Sequence, residues 1–262
     1  QTLTKAYNNL SVIYCVKSDF EKALQLSKES IGVAEDTGDL RGKVNAYNIM
    51  GTVFKAQGNY ENAIDAFTMN LKISEELGDK RGIGVAYCNL GNVYQHKGDN
   101  STALDLYKKF LEISQDLRDK PSIGMASNNM GIIYFNMGDY EKALKFFENY
   151  LNISKELGDK RGIAIAYGNM GEVLMNKFEY DKAIILFKKF LKISQKIGDK
   201  RGIASASYNL GYVYAETGKL KLAYKYSNAA KIFFETIGNK NALGMVTNTL
   251  SLIKLKEKDP EE

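Results

Sequence analysis

Apolar residues recur along this chain at steps of three and four. Between residues 160 and 177, Ile163, Ala166, Tyr167, Met170, Val173 and Leu174 fall on one stripe. That spacing collects side chains on one face of an α-helix, whereas a half-buried strand would alternate every second residue. The same pattern predicts A helices near 2–17, 40–57, 80–97, 120–137, 160–177, 200–217 and 240–257, and B helices near 20–37, 60–77, 100–117, 140–157, 180–197 and 220–237. Glycine supplies the punctuation. Gly38, Gly78, Gly158, Gly198 and Gly238 stand where a B helix ends on a left-handed residue, and Gly58, Gly98, Gly138 and Gly218 turn A into B. Asp39, Asp79, Asp119, Asp159, Asp199 and Asn239 follow, placed to cap the next A helix by accepting from its first-turn amides.

These columns share one step of 40 residues, and Gly78-Asp79-Lys80-Arg81-Gly82 returns intact at 158–162 and 198–202. Six periods result: 1–40, 41–80, 81–120, 121–160, 161–200 and 201–240. A last helix over 241–258, carrying Lys254, Lys256, Glu257 and Lys258, is suited to cap the open end. A hairpin of two helices cannot bury its own stripe, so successive hairpins must stack on one another. The expected fold is an all-α, right-handed solenoid of six hairpins, continuous over 1–262 with no separate domains. Within helix A, the column Gly51, Gly91, Gly131, Gly171 and Gly211 costs about 1 kcal/mol per glycine against alanine. Close approach of a neighbouring helix is the expected compensation.

The run Tyr87-x-x-Leu90-Gly91-x-x-Tyr94, followed by Gly98, Ala103 and Tyr107, resembles the tetratricopeptide repeat, and the resemblance covers essentially the whole chain. The period is similar to that of the Pins/LGN class and of kinesin light chain. Departures are Ser11 for the helix-A glycine in repeat one, Ser127 and Ser207 for its first aromatic, Arg118 for a helix-ending glycine, and no proline after helix B. The resemblance implies that helix A lines a concave groove. It also implies a role for the asparagine just before the Leu-Gly step, matched here by Asn9, Asn89, Asn129, Asn169 and Asn209. In O-GlcNAc transferase and kinesin light chain that column contacts bound peptide. Repeat two departs with Ile49.

Composition sharpens the reading of the two faces. On helix B of repeat five the outer side holds Asp181, Lys182, Lys188, Lys189, Lys192 and Lys196, a solvated face. On helix A, the side opposite the stripe offers six positions per repeat. Only Lys5, Lys55, Glu172 and Glu216 among them are charged, while asparagine takes twelve. Asparagine is a mediocre helix former, so propensity does not place it there. An amide carries donor and acceptor together and pairs with a peptide group whatever the side chain beyond it. The alternative is that these amides bond neighbouring A helices and fix the stacking.

Hydrogen bonds return only about 0.5–1.5 kcal/mol each, so a bound chain also needs apolar anchors. Met125, Ile132, Phe135, Ile165, Met175, Tyr208 and Tyr212 offer them in repeats four to six, whereas repeats one to three offer Asn45, Asn48, Thr52, Lys55, Asn92, Gln95 and His96. The expected peptide-binding residues are Asn9, Asn89, Asn92, Asn128, Asn129, Ile132, Phe135, Asn169, Met175, Asn209 and Tyr212.

Other chemistry is sparse. Two cysteines, Cys15 and Cys88, and one histidine, His96, supply neither a disulfide framework nor a zinc site. The net charge of +5 is spread along the chain, which does not demand nucleic acid. Arg41, Arg81, Arg161 and Arg201 form a column two residues from aspartates, a self-neutralised ridge. No nucleophile has a plausible base and no phosphate loop is present, so neither enzyme activity nor a cofactor is expected. No stretch is apolar enough to span a membrane, no leader precedes the pattern, and a cytoplasmic location is expected. Gln1 falls in mid-pattern, as in a segment of something longer. The expected function is a protein-interaction module that holds an extended peptide or partner segment. Alternatives are a scaffold that self-assembles, by repeats stacking end to end or by the terminal helix of one chain entering the groove of another, and the sensory arm of a larger signalling protein.

Overall fold

The computed structural model describes residues 2–258. Thirteen α-helices and no strand occur among them: α1 Thr2–Val16, α2 Phe20–Thr37, α3 Leu40–Ala56, α4 Tyr60–Glu76, α5 Lys80–His96, α6 Asn100–Asp116, α7 Lys120–Asn136, α8 Tyr140–Glu156, α9 Lys160–Asn176, α10 Tyr180–Ile197, α11 Lys200–Glu216, α12 Leu220–Thr236 and α13 Lys240–Lys258. Every boundary lies within a residue of its expected place. Odd-numbered helices are the A helices and even-numbered ones the B helices. The helices group into two compact units, residues 1–126 and 127–262, divided within α7. Each unit is built of antiparallel helical hairpins.

The caps explain why the boundaries were readable. Asp39, Asp79 and Asp199 each accept at 3.0 Å from the amide three residues on, and Asp119 and Asn239 do so at 3.3 and 3.1 Å. Asp159 holds the same place but its side chain makes no capping bond. The B helices have caps of their own in Asp19, Asn59, Asp99 and Asp139. At the turns the backbone is left-handed even where glycine is missing: Ser18, Arg118 and Phe178 have φ of 62°, 52° and 59°. For residues with a Cβ that conformation costs roughly 1–2 kcal/mol.

The glycines inside helix A are notches for the paired B helix. A Cβ on Gly51, Gly91, Gly131 or Gly171 would lie 2.5–2.7 Å from the ring of Phe67, Tyr107, Phe147 or Phe187. Those four rings are the largest fully buried side chains. Repeat one replaces the ring and the notch together: Ser11 stands for the glycine, and its hydroxyl meets Ser27 at 2.8 Å and donates to the Ala23 carbonyl at 2.7 Å. The last helix, α13, takes the place of a further A helix. Val246 packs with Ala204, Ala230 and Phe234, and Ile253 with Leu210, Val213 and Ala223, so α13 covers the end of the second unit.

Candidate functional site

The asparagines of helix A are engaged in a pattern two repeats long. In the first unit Asn89 Nδ2 donates to Asn48 Oδ1 at 2.8 Å, linking α5 to α3. In the second unit Asn169 Nδ2 donates to Asn128 Oδ1 at 2.8 Å, linking α9 to α7. The same doubled step governs ion pairs at the hairpin ends, where Lys97 meets Glu61 and Lys177 meets Glu141. The reason lies in one column: Asn48 and Asn128 supply an acceptor where the alternate repeats carry Cys88 and Gly168. Asn209, whose counterpart in that column is Gly168, donates to Glu172 Oε1 at 3.3 Å.

Each amide–amide bond uses one of two N–H donors on the giver and one of two lone pairs on the taker. The planes are thereby fixed while pairing capacity remains. Asn89, Asn128, Asn129 and Asn169 are half-buried, Asn209 is buried and Asn9 is exposed. Its neighbour Asn8 is buried and donates to the Gly42 carbonyl at 3.0 Å. Asn92 is engaged within its own repeat through its Oδ1, which lies 2.8 Å from the Tyr107 hydroxyl; Gln95 Oε1 lies at the same distance and shares that one proton.

The apolar residues divide similarly. Ile132 and Phe135 are half-buried against the cluster of Ala143, Phe147 and Val173, and the Phe135 ring lies 5.9 Å from that of Tyr140. Both serve the packing of that cluster. Met175 and Tyr212 meet in an open pocket of about 270 Å³ with Asn176, Phe178, Tyr180 and Tyr208. Burial raises the Tyr212 hydroxyl above the usual phenol range, with the Glu216 charge adding to the effect. Phe178 was not singled out by sequence reasoning. It replaces the turn glycine, holds a left-handed backbone and leaves 76% of its surface exposed.

Beside this pocket lies a second, of about 300 Å³, lined by Glu172, Ser205, Tyr208, Asn209, Phe234, Asn239, Ala242 and Met245. Burial pushes the Glu172 carboxyl above its ordinary 4.5, and the bond from Asn209 only partly opposes this. The folded state therefore holds this proton more tightly than the unfolded chain does. Folding carries no penalty from Glu172 below about pH 4.5, where both states are protonated, and loses stability as pH rises through the raised value. Glu172→Gln is expected to be more stable than the parent near pH 7.5 and to lose that advantage near pH 4. Urea unfolding of both at the two pH values checks this, and a gap independent of pH would contradict it. The titratable group facing Glu172 from α11 is Tyr208.

Among the described residues no group of His, Cys, Asp and Glu is arranged to hold a metal. No helix there is long and apolar enough to cross a membrane. Cys88 is buried, and desolvation raises its thiol to about 11, which keeps it protonated and a poor nucleophile. The arginine ridge is partly paired, with Arg81 Nη2 3.7 Å from Asp119 Oδ2.

Stacked hairpins with glycine notches and capped turns define a class of helical-repeat interaction proteins. A tetratricopeptide-repeat family model matches residues 2–76, 42–116, 82–156, 122–196 and 162–231, and the chain belongs to that family. Tetratricopeptide repeats serve generally as binding modules for protein or peptide partners. Solved structures that share the fold include the following. The apo form of RapI has a TM-score of 0.75 at 19% identity, covering 96% of this chain and 98% of its own. BtubC from P. vanneervenii gives 0.71 at 19%, covering 84% and 90%. A signal-transduction ATPase with a tetratricopeptide repeat sensor, from Pyrococcus horikoshii, gives 0.76 at 22%, covering 97% of this chain but 42% of that one. No curated protein matches the sequence.

Proposed function

We propose that this chain binds an extended peptide or partner segment along its A helices, with amides holding the main chain and the Met175–Tyr212 pocket receiving an apolar side chain. The amides concerned are the column Asn9, Asn89, Asn129, Asn169 and Asn209 with Asn92 and Asn128 beside it, and Ile132 and Phe135 extend the apolar surface. Amide–amide bonds between neighbouring helices pre-orient the ladder, which lowers the entropy lost on binding. One observation carries the reading most: the pocket of Met175, Phe178, Tyr208 and Tyr212 lies on a face nearly free of charge. An exposed aromatic on a left-handed backbone costs stability, and contact with a partner is a use that offsets the cost.

The test selects peptides from a random displayed library against the chain. Selected peptides are expected to bind Tyr212→Ala with an affinity about 30-fold lower or worse, as for an anchor residue in a partner's pocket. Phe178→Gly should also weaken them while raising thermal stability, because the turn strain is relieved. Selection of no peptide, or undiminished binding to both variants, would sink the proposal.

A further inference from the structure

Glu172 carries one of the few charges on the A-helix face, and none of the contacts within the described residues neutralises it. Its Oε1 takes a single bond, from Asn209 Nδ2 at 3.3 Å, and no basic side chain there forms an ion pair with it. Glu216, on the next A helix, differs: Lys256 Nζ lies 3.9 Å from its carboxylate. An ionised carboxylate has about four lone-pair positions. At Glu172 one such position is used, by Asn209, and the residue borders the pocket of about 300 Å³.

The walls favour a cation. Tyr208 and Phe234 contribute aromatic surfaces, Asn209 and Asn239 amides, Ser205 a hydroxyl, and no positive charge lines the pocket. An aromatic face attracts a cation through its ring quadrupole, and a carboxylate in a partly desolvated site attracts it more strongly than one in water.

We propose that this pocket receives a basic side chain, lysine or arginine, of the bound segment, with Glu172 as its counter-charge. The assignment rests on the peptide-binding reading above and names the chemistry one residue of that peptide must have. The Met175–Tyr212 pocket shares Tyr208 with this one, so an apolar and a basic residue close together in the ligand would occupy the two. A segment with acidic residues at that register would meet Glu172 with like charge and be rejected.

Two measurements test it. The first titrates the chain with N-acetyl-arginine amide while following the side-chain amide resonance of Asn209, with N-acetyl-glutamine amide as the neutral control. A saturable shift with the arginine probe alone, lost in Glu172→Gln, is expected; no shift, an equal response to both probes, or a shift that survives in Glu172→Gln would overturn the assignment. The second compares library-selected peptides, which should share a basic residue at one position and bind Glu172→Gln at least about tenfold more weakly. Peptides that need Tyr212 yet carry no such residue would leave the peptide-binding reading standing and overturn this one. Binding of the arginine probe with no peptide selected would overturn the peptide reading, and with it the assignment of the cation to a peptide.

Discussion

Phe187→Ala is expected to destabilise the unit of residues 127–262 by about 3–5 kcal/mol, the range for emptying a fully buried aromatic site. The ring is 0% exposed and sits in the cluster that joins Ala183 and Ile184 of α10 to Leu210, Val213 and Tyr214 of α11. It also fills the notch over Gly171, so the cavity would open between the two helices of one hairpin and against the next. Stacked repeats draw their stability from nearest-neighbour interfaces, so the loss spreads to α11 and beyond. Urea unfolding followed by far-UV circular dichroism measures it. A loss under about 1 kcal/mol would mean that the notch and ring do not set the packing.

Gly211→Ala is expected to cost more than the equivalent change at Gly51, Gly91, Gly131 or Gly171, because of what its Cβ would meet. At those four sites the obstacle is an aromatic ring, whose edge must move away while the backbone of the paired helix stays in place. At Gly211 the new Cβ would lie 2.3 Å from Ser227 Oγ and 2.9 Å from the Ser227 amide nitrogen, so the backbone of α12 itself must move. Overpacking typically costs about 1–3 kcal/mol, and backbone displacement belongs at the upper end. Better helix propensity returns only about 1 kcal/mol of that. The paired measurement is Gly211→Ala against Gly171→Ala by the same unfolding experiment. Equal losses would remove the argument from helix approach in repeat six.

Most of the fold was legible because each structural device has a residue type that recurs in one phase. Turn glycines, capping aspartates and the apolar stripe fixed the helix limits to within a residue, and the Gly91 column announced the notches without naming their occupants. The ring partners, such as Tyr107 over Gly91, are separated in sequence and meet only through the hairpin geometry. Asp159 shows the limit at a single residue: the cap position is readable, the rotamer is not.

The candidate site was less legible. The excess of asparagine on one face marked it, yet the two readings of that excess differ by ångström-scale geometry. Asn169 reaches Asn128 because both lie on A helices one hairpin apart, whereas Asn209, with no side-chain acceptor at Gly168 in the matching column, donates to Glu172. That doubling of the repeat was hidden inside the stronger 40-residue period. Phe178 and Glu172 stood in view as departures from their columns, an aromatic at a turn-glycine position and a charge on a nearly neutral face. What they share, proximity to the pockets around Tyr208, exists only once the helices are stacked.

The central claim is that a partner lies along the amide-rich face of the A helices. The most direct measurement follows the side-chain amide resonances of the asparagines while a library-selected peptide is added. The account predicts saturable shifts at Asn169 and Asn209 in the wild-type chain, with the resonances of α10 near Lys188 and Lys192 unmoved. Shifts confined to the lysine-rich outer side of α10, with the amides of α9 and α11 unchanged, would contradict it.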